Sequence, residues 1–291
     1  MTDLITLYRF YIDLPMKKIF TIIVFTFLIV SILNSCNKVE KQSQTITSSE
    51  TATTQSNTVT VTFPEGLTLR DIAEKLEENS VCSSAAFIEE AAKPEYVEQY
   101  GFVIPDRDKR FYPLEGYIFP DTYEFYKNEN VSSVLKKFLR NTSSKLNDDI
   151  KSKAEKIGLT PDELITFASI VQKESGGSAE AGKVASVLHN RLNNPSFQKL
   201  QCDACSLYLK QYLKPYTDET SYDAYCEVYN TYMVKGLPVG AICNPGMASI
   251  NAVLNPEDTD YYFFVTDSDN IYHYAETWEE HQSNVREAGL G

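Results

Sequence analysis

The sequence predicts an α+β fold: a small strand-and-helix module, then a mixed α/β domain with buried helices and a C-terminal β-hairpin. Residues 58–62 are all β-branched, which is typical of a strand, and an amphipathic helical pattern follows them. Residues 160–177 contain a helical stretch that is apolar on nearly every face, which indicates a buried helix. Two strand-like runs, 261–266 and 271–274, are separated by a polar turn and predict the hairpin.

The composition argues against several classes of function. Lys and Arg total 27 and Asp and Glu total 40, so the net charge is −13. A non-specific nucleic-acid binder needs clustered basic residues for its phosphate contacts, so we expect no nucleic-acid partner. Only three histidines are present, which argues against a histidine-rich metal site. We therefore expect neither a metal nor another cofactor.

The N-terminal residues 1–36 have the pattern of a signal peptide or membrane anchor. Lys17 and Lys18 precede an apolar run over 19–33, which is shorter than the roughly 20 residues of a typical spanning helix. The run ends in Leu-Asn-Ser-Cys, which resembles a bacterial lipobox with Cys36 as the acylated residue. A lipoprotein and an uncleaved single-span anchor are the two alternatives. Both place the rest of the chain at the extracytoplasmic face of the bacterial cell membrane.

Residues 37–57 are rich in Ser, Thr, Gln and Glu and contain almost no large apolar side chain. Such a segment cannot bury enough apolar surface to offset the entropy of ordering it, so we predict a disordered linker.

The remaining five cysteines favour disulfides over zinc. Cys202 and Cys205 form a CxxC pair, and Cys226 and Cys243 could complete a four-thiolate site. A compact zinc ribbon requires a second CxxC, which the sequence does not contain. Outside the cytoplasm we expect one or two disulfides that tie the loops of the last domain.

Residues 58–104 have the plan of a LysM-like domain. The strand is followed by the turn Pro64-Glu65-Gly66, a helix with Thr68 at its N-cap, and a second helix over 84–92. By analogy this module binds glycan; a plain spacer is the alternative. Residues 105–291 then form the second domain.

The aromatic segment 112–126 contains two prolines, which exclude a regular helix and a central strand. We expect a fixed extended segment that forms a cleft wall, with Glu115 and Asp121 as cleft or structural residues. The following stretch, 131–157, is amphipathic and helical, with a break near Asn147.

Glu174 is the candidate catalytic residue. It lies in the last turn of a helix that begins with the capping box of Thr160 and Glu163 and ends at Gly176. It lies four residues after Ile170 and so continues the apolar stripe. Burial and the carbonyl groups at the helix C-terminus should both raise the pKa of Glu174, as a general acid near neutral pH requires. The alternative is a surface carboxylate at a fraying helix end.

Six motifs in a fixed order resemble the endolytic murein transglycosylases of the YceG-like family, over about residues 58–285. The motifs are LEGYIFPDTYEF, LITFASIVQKESG, KVASVLHNRL, LQCDACSLY, YNTYMVKGLPVGAICNPGMASINAVLNP and DYYFFVTDSDNIYHYAETWEEH. The family's catalytic acid is the second of two in its ASIVEKE motif. Here Gln172 replaces the first and Glu174 keeps the second. The two positions are about 200° apart around a helix, so they could not share one site.

The resemblance implies cleavage of the β-1,4 bond from N-acetylmuramic acid to N-acetylglucosamine within nascent glycan strands, leaving 1,6-anhydro ends. It implies Glu174 as general acid and then base, and a role in terminating strand elongation. One carboxylate suffices, because the C6 hydroxyl of the same sugar attacks C1. Peptidoglycan strands are the implied partner, together with cell-wall synthases and, through the N-terminus, the membrane.

The resemblance also implies a set of substrate-binding residues in the matched loops: Tyr229, Asn230, Gln201, Asp203, Glu115 and Asn244. Cysteine replaces the family's residues at 202, 205 and 243, which suggests a lineage-specific disulfide. Two alternatives stay open. One is a hydrolytic muramidase with Asp203 or Asp121 as second carboxylate, and the other is a non-catalytic glycan-binding scaffold of the cell-wall synthesis complex.

Overall fold

The computed structural model describes residues 57–197 and 199–291. The predicted signal peptide or anchor, and all of the predicted linker except its last residue, lie outside these residues. Within the described part, no helix combines the length and apolar character needed to cross a membrane.

The first sheet joins distant parts of the chain. Strand β1 (Thr58–Thr62) pairs antiparallel with β2 (Thr122–Tyr126), with Val59 opposite Phe125. The strand at 58–62 is confirmed, and the aromatic segment contributes a strand of its own after its second proline. In a two-stranded sheet both strands are edges, so the nearby prolines are tolerated. This pairing joins strands from the two sides of the predicted domain boundary at residue 104, and the described residues belong to one compact unit. The separate LysM-like domain therefore stays a prediction.

Eleven α-helices occur in the described residues. They are α1 (Leu69–Glu78), α2 (Ser84–Ala91), α3 (Glu95–Gln99), α4 (Val131–Lys145), α5 (Asp148–Lys156), α6 (Pro161–Ser175), α7 (Ala181–Asn193), α8 (Asp203–Tyr208), α9 (Glu219–Tyr229), α10 (Met247–Leu254) and α11 (Trp278–Glu287). The predicted break near Asn147 is confirmed: its side chain caps α5 by accepting a hydrogen bond from the Ile150 N–H, 3.1 Å away.

Helix α6 is largely buried and packs against α7 and α10. Its capping box is present: Thr160 Oγ1 accepts from the Glu163 N–H, and Glu163 Oε2 accepts from the Thr160 N–H. Six apolar side chains of α6 are buried: Leu164, Ile165, Phe167, Ala168, Ile170 and Val171. The helix ends at Gly176, whose φ of 61° lies in the left-handed region that glycine adopts without strain.

The predicted C-terminal hairpin is confirmed. Strands β3 (Phe263–Thr266) and β4 (Tyr272–Ala275) pair antiparallel. Asp267 closes the turn, because its Oδ1 accepts hydrogen bonds from the N–H groups of Asp269 and Ile271, both at 2.9 Å. Helix α11 packs on both strands of the hairpin.

The predicted disulfides are not found among the described cysteines, all five of which are free thiols. The Cys243 thiol instead donates to the Ser169 carbonyl at 3.4 Å, and the Cys202 thiol donates to the Leu200 carbonyl at 3.7 Å. Both thiols are buried, and they behave as small packing side chains rather than as cross-links.

Candidate active site

A cleft of about 510 Å³ lies between the C-terminal end of α6, the loop that enters α8, strand β3 and helix α11. It is lined by Glu174, Arg191, Gln201, Cys202, Asp203, Tyr232, Phe263, Phe264, Val265, Thr266, Trp278, His281 and Val285. Polar groups therefore share this space with aromatic rings, as is usual for ligand-binding clefts.

Glu174 lies at the cleft in the last turn of α6. Its Oε1 accepts a hydrogen bond from the Ala204 N–H at 3.4 Å, and its backbone carbonyl accepts one from the Tyr272 hydroxyl at 2.7 Å. The pKa of Glu174 is raised from 4.5 to about 6. Burial is the main cause, as predicted from the sequence; the Ala204 N–H lowers the pKa, the Asp203 charge raises it and the Arg191 charge lowers it. A carboxyl with this pKa can donate or accept a proton near neutral pH.

The loop before α8 is held in place by Thr231, which is buried. Thr231 Oγ1 accepts from the Cys202 N–H at 2.9 Å and donates to the Cys202 carbonyl at 3.1 Å. The Gln201 N–H donates to the Thr231 carbonyl at 3.1 Å. These bonds fix the start of α8, and with it the Ala204 N–H that faces Glu174. The Tyr232 hydroxyl donates to Asp203 Oδ1 at 2.8 Å and restrains that carboxylate.

Arg191, in the last turn of α7, connects two sides of the cleft. Its Nε donates to the Tyr262 carbonyl at 2.7 Å, and its Nη1 donates to the Leu200 carbonyl. Its guanidinium lies 5.4 Å from the centre of the Phe263 ring. The sequence analysis did not identify Arg191 as a site residue. A charged residue on an otherwise apolar face was the available signal.

Of the predicted substrate-binding residues, Gln201 and Asp203 line the cleft with Glu174. Asn230 does not line it; its Oδ1 accepts from the Tyr232 N–H at 2.9 Å, so it shapes the turn that carries Tyr232. Tyr229 is fully buried, and its hydroxyl has no hydrogen-bonding partner among the described residues. Its position gives no support to the predicted contact with substrate.

Glu115 and Asn244 also lie away from the cleft, in a buried polar cluster. Glu115 accepts from the Leu69 N–H at 2.9 Å, from Asn244 Nδ2 at 3.1 Å and from the Tyr208 hydroxyl at 3.2 Å. Burial raises the pKa of Glu115 to about 8. Asn244 Oδ1 accepts from the Ile118 N–H at 2.8 Å. These contacts join α1 and α8 to the segments around residues 115 and 244, so both side chains hold parts of the fold together.

Gln172 faces away from the cleft, as the helical spacing predicts. It is buried, and its Oε1 accepts from the Gly246 N–H at 3.1 Å and from Ser249 Oγ at 2.8 Å. It thus holds the N-terminus of α10 against α6. These two hydrogen bonds need an acceptor at position 172 but no ionisable group, so a glutamine amide suffices there. Of Gln172 and Glu174, only Glu174 lines the cleft.

Sequence reasoning also missed Tyr232, Trp278 and His281 as site residues. Trp278, His281 and Val285 lie at i, i+3 and i+7 of α11, so one face of this helix forms a side of the cleft. That spacing was readable from the sequence, but nothing local indicated which surface the face would meet.

Comparisons with known proteins agree on one family. The profile of the YceG-like family matches residues 34–287. The chain is 32% identical over 232 residues to the endolytic murein transglycosylase of Bacillus subtilis, covering 76% of this chain and 62% of that protein. It is 29% identical over 250 residues to the endolytic murein transglycosylase of Streptococcus pneumoniae, covering 78% of this chain and 44% of that protein. The chain thus spans less than two thirds of the length of either relative.

A solved structure is similar as well. The crystal structure of the putative YceG-like protein of Listeria monocytogenes matches with a TM-score of 0.65 at 27% identity, covering 77% of this chain and 75% of that one. The two proteins share a mixed helical and sheet architecture over the matched residues.

Proposed function

Because the chain belongs to the YceG-like family, we propose that it is an endolytic murein transglycosylase, a lyase that cuts peptidoglycan glycan strands internally. Its target is the β-1,4 bond from N-acetylmuramic acid to N-acetylglucosamine, and its product carries a 1,6-anhydro end. The observation that carries this proposal is Glu174, a half-buried carboxyl with its pKa raised to about 6 in a cleft lined with aromatic rings.

Glu174 acts first as an acid and then as a base. Its proton passes to the glycosidic oxygen as the bond from that oxygen to C1 breaks. The C6 hydroxyl of the same muramic acid then attacks C1, and Glu174, now a carboxylate, accepts the hydroxyl proton. No water enters, and the enzyme returns to its starting protonation state. The nucleophile is held by its own sugar ring, so its effective concentration is high.

The placement of the second carboxylate favours this lyase over a hydrolytic muramidase. Hydrolysis requires an acid and a base or nucleophile that flank the sugar from different sides. Asp203 immediately precedes Ala204, whose N–H contacts Glu174, so the two acidic residues are neighbours in the structure. The lining residues of β3 and α11 include no carboxylate. Asp121 does not line the cleft; it accepts from the Thr122 N–H and from Asn141.

The same proposal assigns the chain to the extracytoplasmic face of the cell membrane, through the basic and apolar pattern of residues 16–36. An anhydro end has no leaving group at C1 and cannot serve as donor for further elongation. Cleavage of a nascent strand would therefore terminate it, and cell-wall synthases are the partners that such a role requires.

The test is digestion of purified peptidoglycan by the full-length protein, with mass spectrometry of the products. Anhydro ends from the parent protein and none from Glu174→Gln are expected, while the control Asp121→Asn cuts at the parent rate. Reducing ends would support the hydrolase instead. Glycan that binds but is never cut, with or without Glu174, would support the scaffold.

A further inference from the structure

The face of α11 toward the cleft carries rings whose polar atoms make no hydrogen bond to other described residues. Trp278 is 54% exposed although it lines the cleft. Neither its indole N–H nor the His281 ring makes a hydrogen bond to another described residue, and His281 Nδ1 is buried without a partner. Buried polar atoms are normally paired, and a large exposed apolar ring in a cleft marks a binding surface.

These rings are rigidly placed. Thr277 caps α11 by accepting from the Glu280 N–H at 3.2 Å, and Asn284 ties the helix to β4 by donating to the Tyr274 carbonyl at 3.1 Å. The His281 ring stacks on Phe263 with centroids 5.2 Å apart, and the Trp278 ring is 5.7 Å from Phe263. The exposed ring is thus held before any ligand arrives, which reduces the entropy lost on binding.

The chemistry of this face selects the ligand. Burial and the nearby Arg191 charge lower the pKa of His281, so the imidazole is neutral near pH 7. Trp278, His281, Phe263 and Val285 together offer a mainly aromatic, apolar surface with no charged side chain among them. A pyranose ring has a matching form, with a C–H face and a rim of hydroxyl and amide groups.

We propose that Trp278 and His281 form a sugar subsite that takes one uncharged N-acetylhexosamine unit of the glycan strand next to the bond that Glu174 cleaves. The pyranose face packs on the exposed ring of Trp278. The inference deepens the proposed function and rests on it for the identity of the strand.

The single tryptophan of the chain makes the subsite directly observable. The probe is soluble glycan from amidase-treated peptidoglycan, added to the full-length Glu174→Gln protein so that no cleavage occurs. Saturable binding with a blue shift of the tryptophan emission is expected, because the sugar removes water from an exposed indole. Unchanged emission at a glycan concentration that saturates binding by calorimetry would overturn the proposal, as would the absence of binding.

Calorimetry of second-site variants in the same background tests the contribution of the ring. Trp278→Ala should weaken glycan binding about tenfold, and Trp278→Phe should retain most of it, because a flat apolar ring remains. The matched control is Tyr126→Ala, since Tyr126 is 58% exposed but lies on β2 and does not line the cleft. Thermal unfolding followed by circular dichroism confirms that each variant is folded. Equal affinities for Trp278→Ala and the control would overturn the subsite.

Failure of the subsite and failure of the proposed function give different results. If the parent protein forms anhydro ends but the emission of Trp278 does not change with glycan, the lyase activity is supported and the subsite is rejected. If glycan binds at Trp278 but the parent protein leaves no anhydro ends, the subsite stands and the lyase falls.

Discussion

The burial that raises the pKa of Glu174 should lower the stability of the fold, and Glu174→Gln should recover that stability. The pKa of Glu174 is raised from 4.5 to about 6 in the folded state. At pH 8 the folded protein must hold the anion in a half-buried place, and the difference corresponds to at most about 2 kcal/mol. Some of this is screened because Glu174 is not fully enclosed, so we expect Glu174→Gln to be about 1 to 2 kcal/mol more stable at pH 8.

The pH dependence of stability that Glu174 causes is opposite to that of a carboxylate whose pKa is lowered by folding. Between pH 4.5 and about 6 the folded state binds more protons at Glu174 than the unfolded state does, so the stability of the parent protein falls as pH rises through this window. Below it Glu174 is neutral in both states, and glutamine is a close mimic of the neutral acid. The stability difference between variant and parent should therefore vanish by about pH 4.

Urea unfolding followed by circular dichroism, at pH values from 4 to 8, measures this difference directly. The control is Glu227→Gln on the exposed side of α9, which should change stability by less than about 0.5 kcal/mol throughout. A Glu174→Gln protein no more stable than the parent at pH 8 would refute the reasoning. A gain that persists unchanged at pH 4 would also refute it, because ionisation would then not be its cause.

Further predictions concern the residues around Glu174. Arg191→Gln should move the falling limb of the pH–activity profile to higher pH, because the Arg191 cation lowers the pKa of Glu174; Arg191→Lys, which keeps the charge, should move it less. Asp203→Asn should move the same limb to lower pH, since the Asp203 charge raises that pKa; a limb unmoved in both variants would contradict the assigned causes. Gln172→Ala should lower the free energy of unfolding by about 1 to 3 kcal/mol in urea titrations, because two donors at the start of α10 lose their acceptor.

The elements that the sequence predicts well are those with local causes. The capping box at Thr160 and the glycine at 176 fix both ends of α6 within one stretch of chain, and Asn147 marks the break between α4 and α5. Strand β2 was missed because the strand it pairs with lies about sixty residues earlier. No pattern within residues 112–126 indicates where in the chain that pairing strand lies.

The candidate site was predictable only in part. Glu174 was predicted from its place on an apolar stripe and from its match to the second acid of the family's ASIVEKE motif. Glu115 is also an acid among aromatic residues, and the sequence cannot distinguish an acid that faces a cleft from one enclosed by Leu69, Asn244 and Tyr208. Arg191 required knowledge that the two carbonyls it binds, 9 and 71 residues away, meet in the folded chain.

A reaction that uses one carboxyl group as both acid and base limits the pKa of that group from below and from above. A pKa much below the working pH would leave too little acid for the first proton transfer, and one far above it would make the group too weak an acid. Around Glu174, burial and Asp203 raise the pKa, whereas the Ala204 N–H and Arg191 lower it. Two chain segments supply Asp203, Ala204 and Arg191, and hydrogen bonds from Thr231 and Arg191 hold the loop that leads to Asp203 and Ala204. The hydrogen bonds that position this loop therefore also affect the pKa of Glu174, on which its proposed acid and base roles depend.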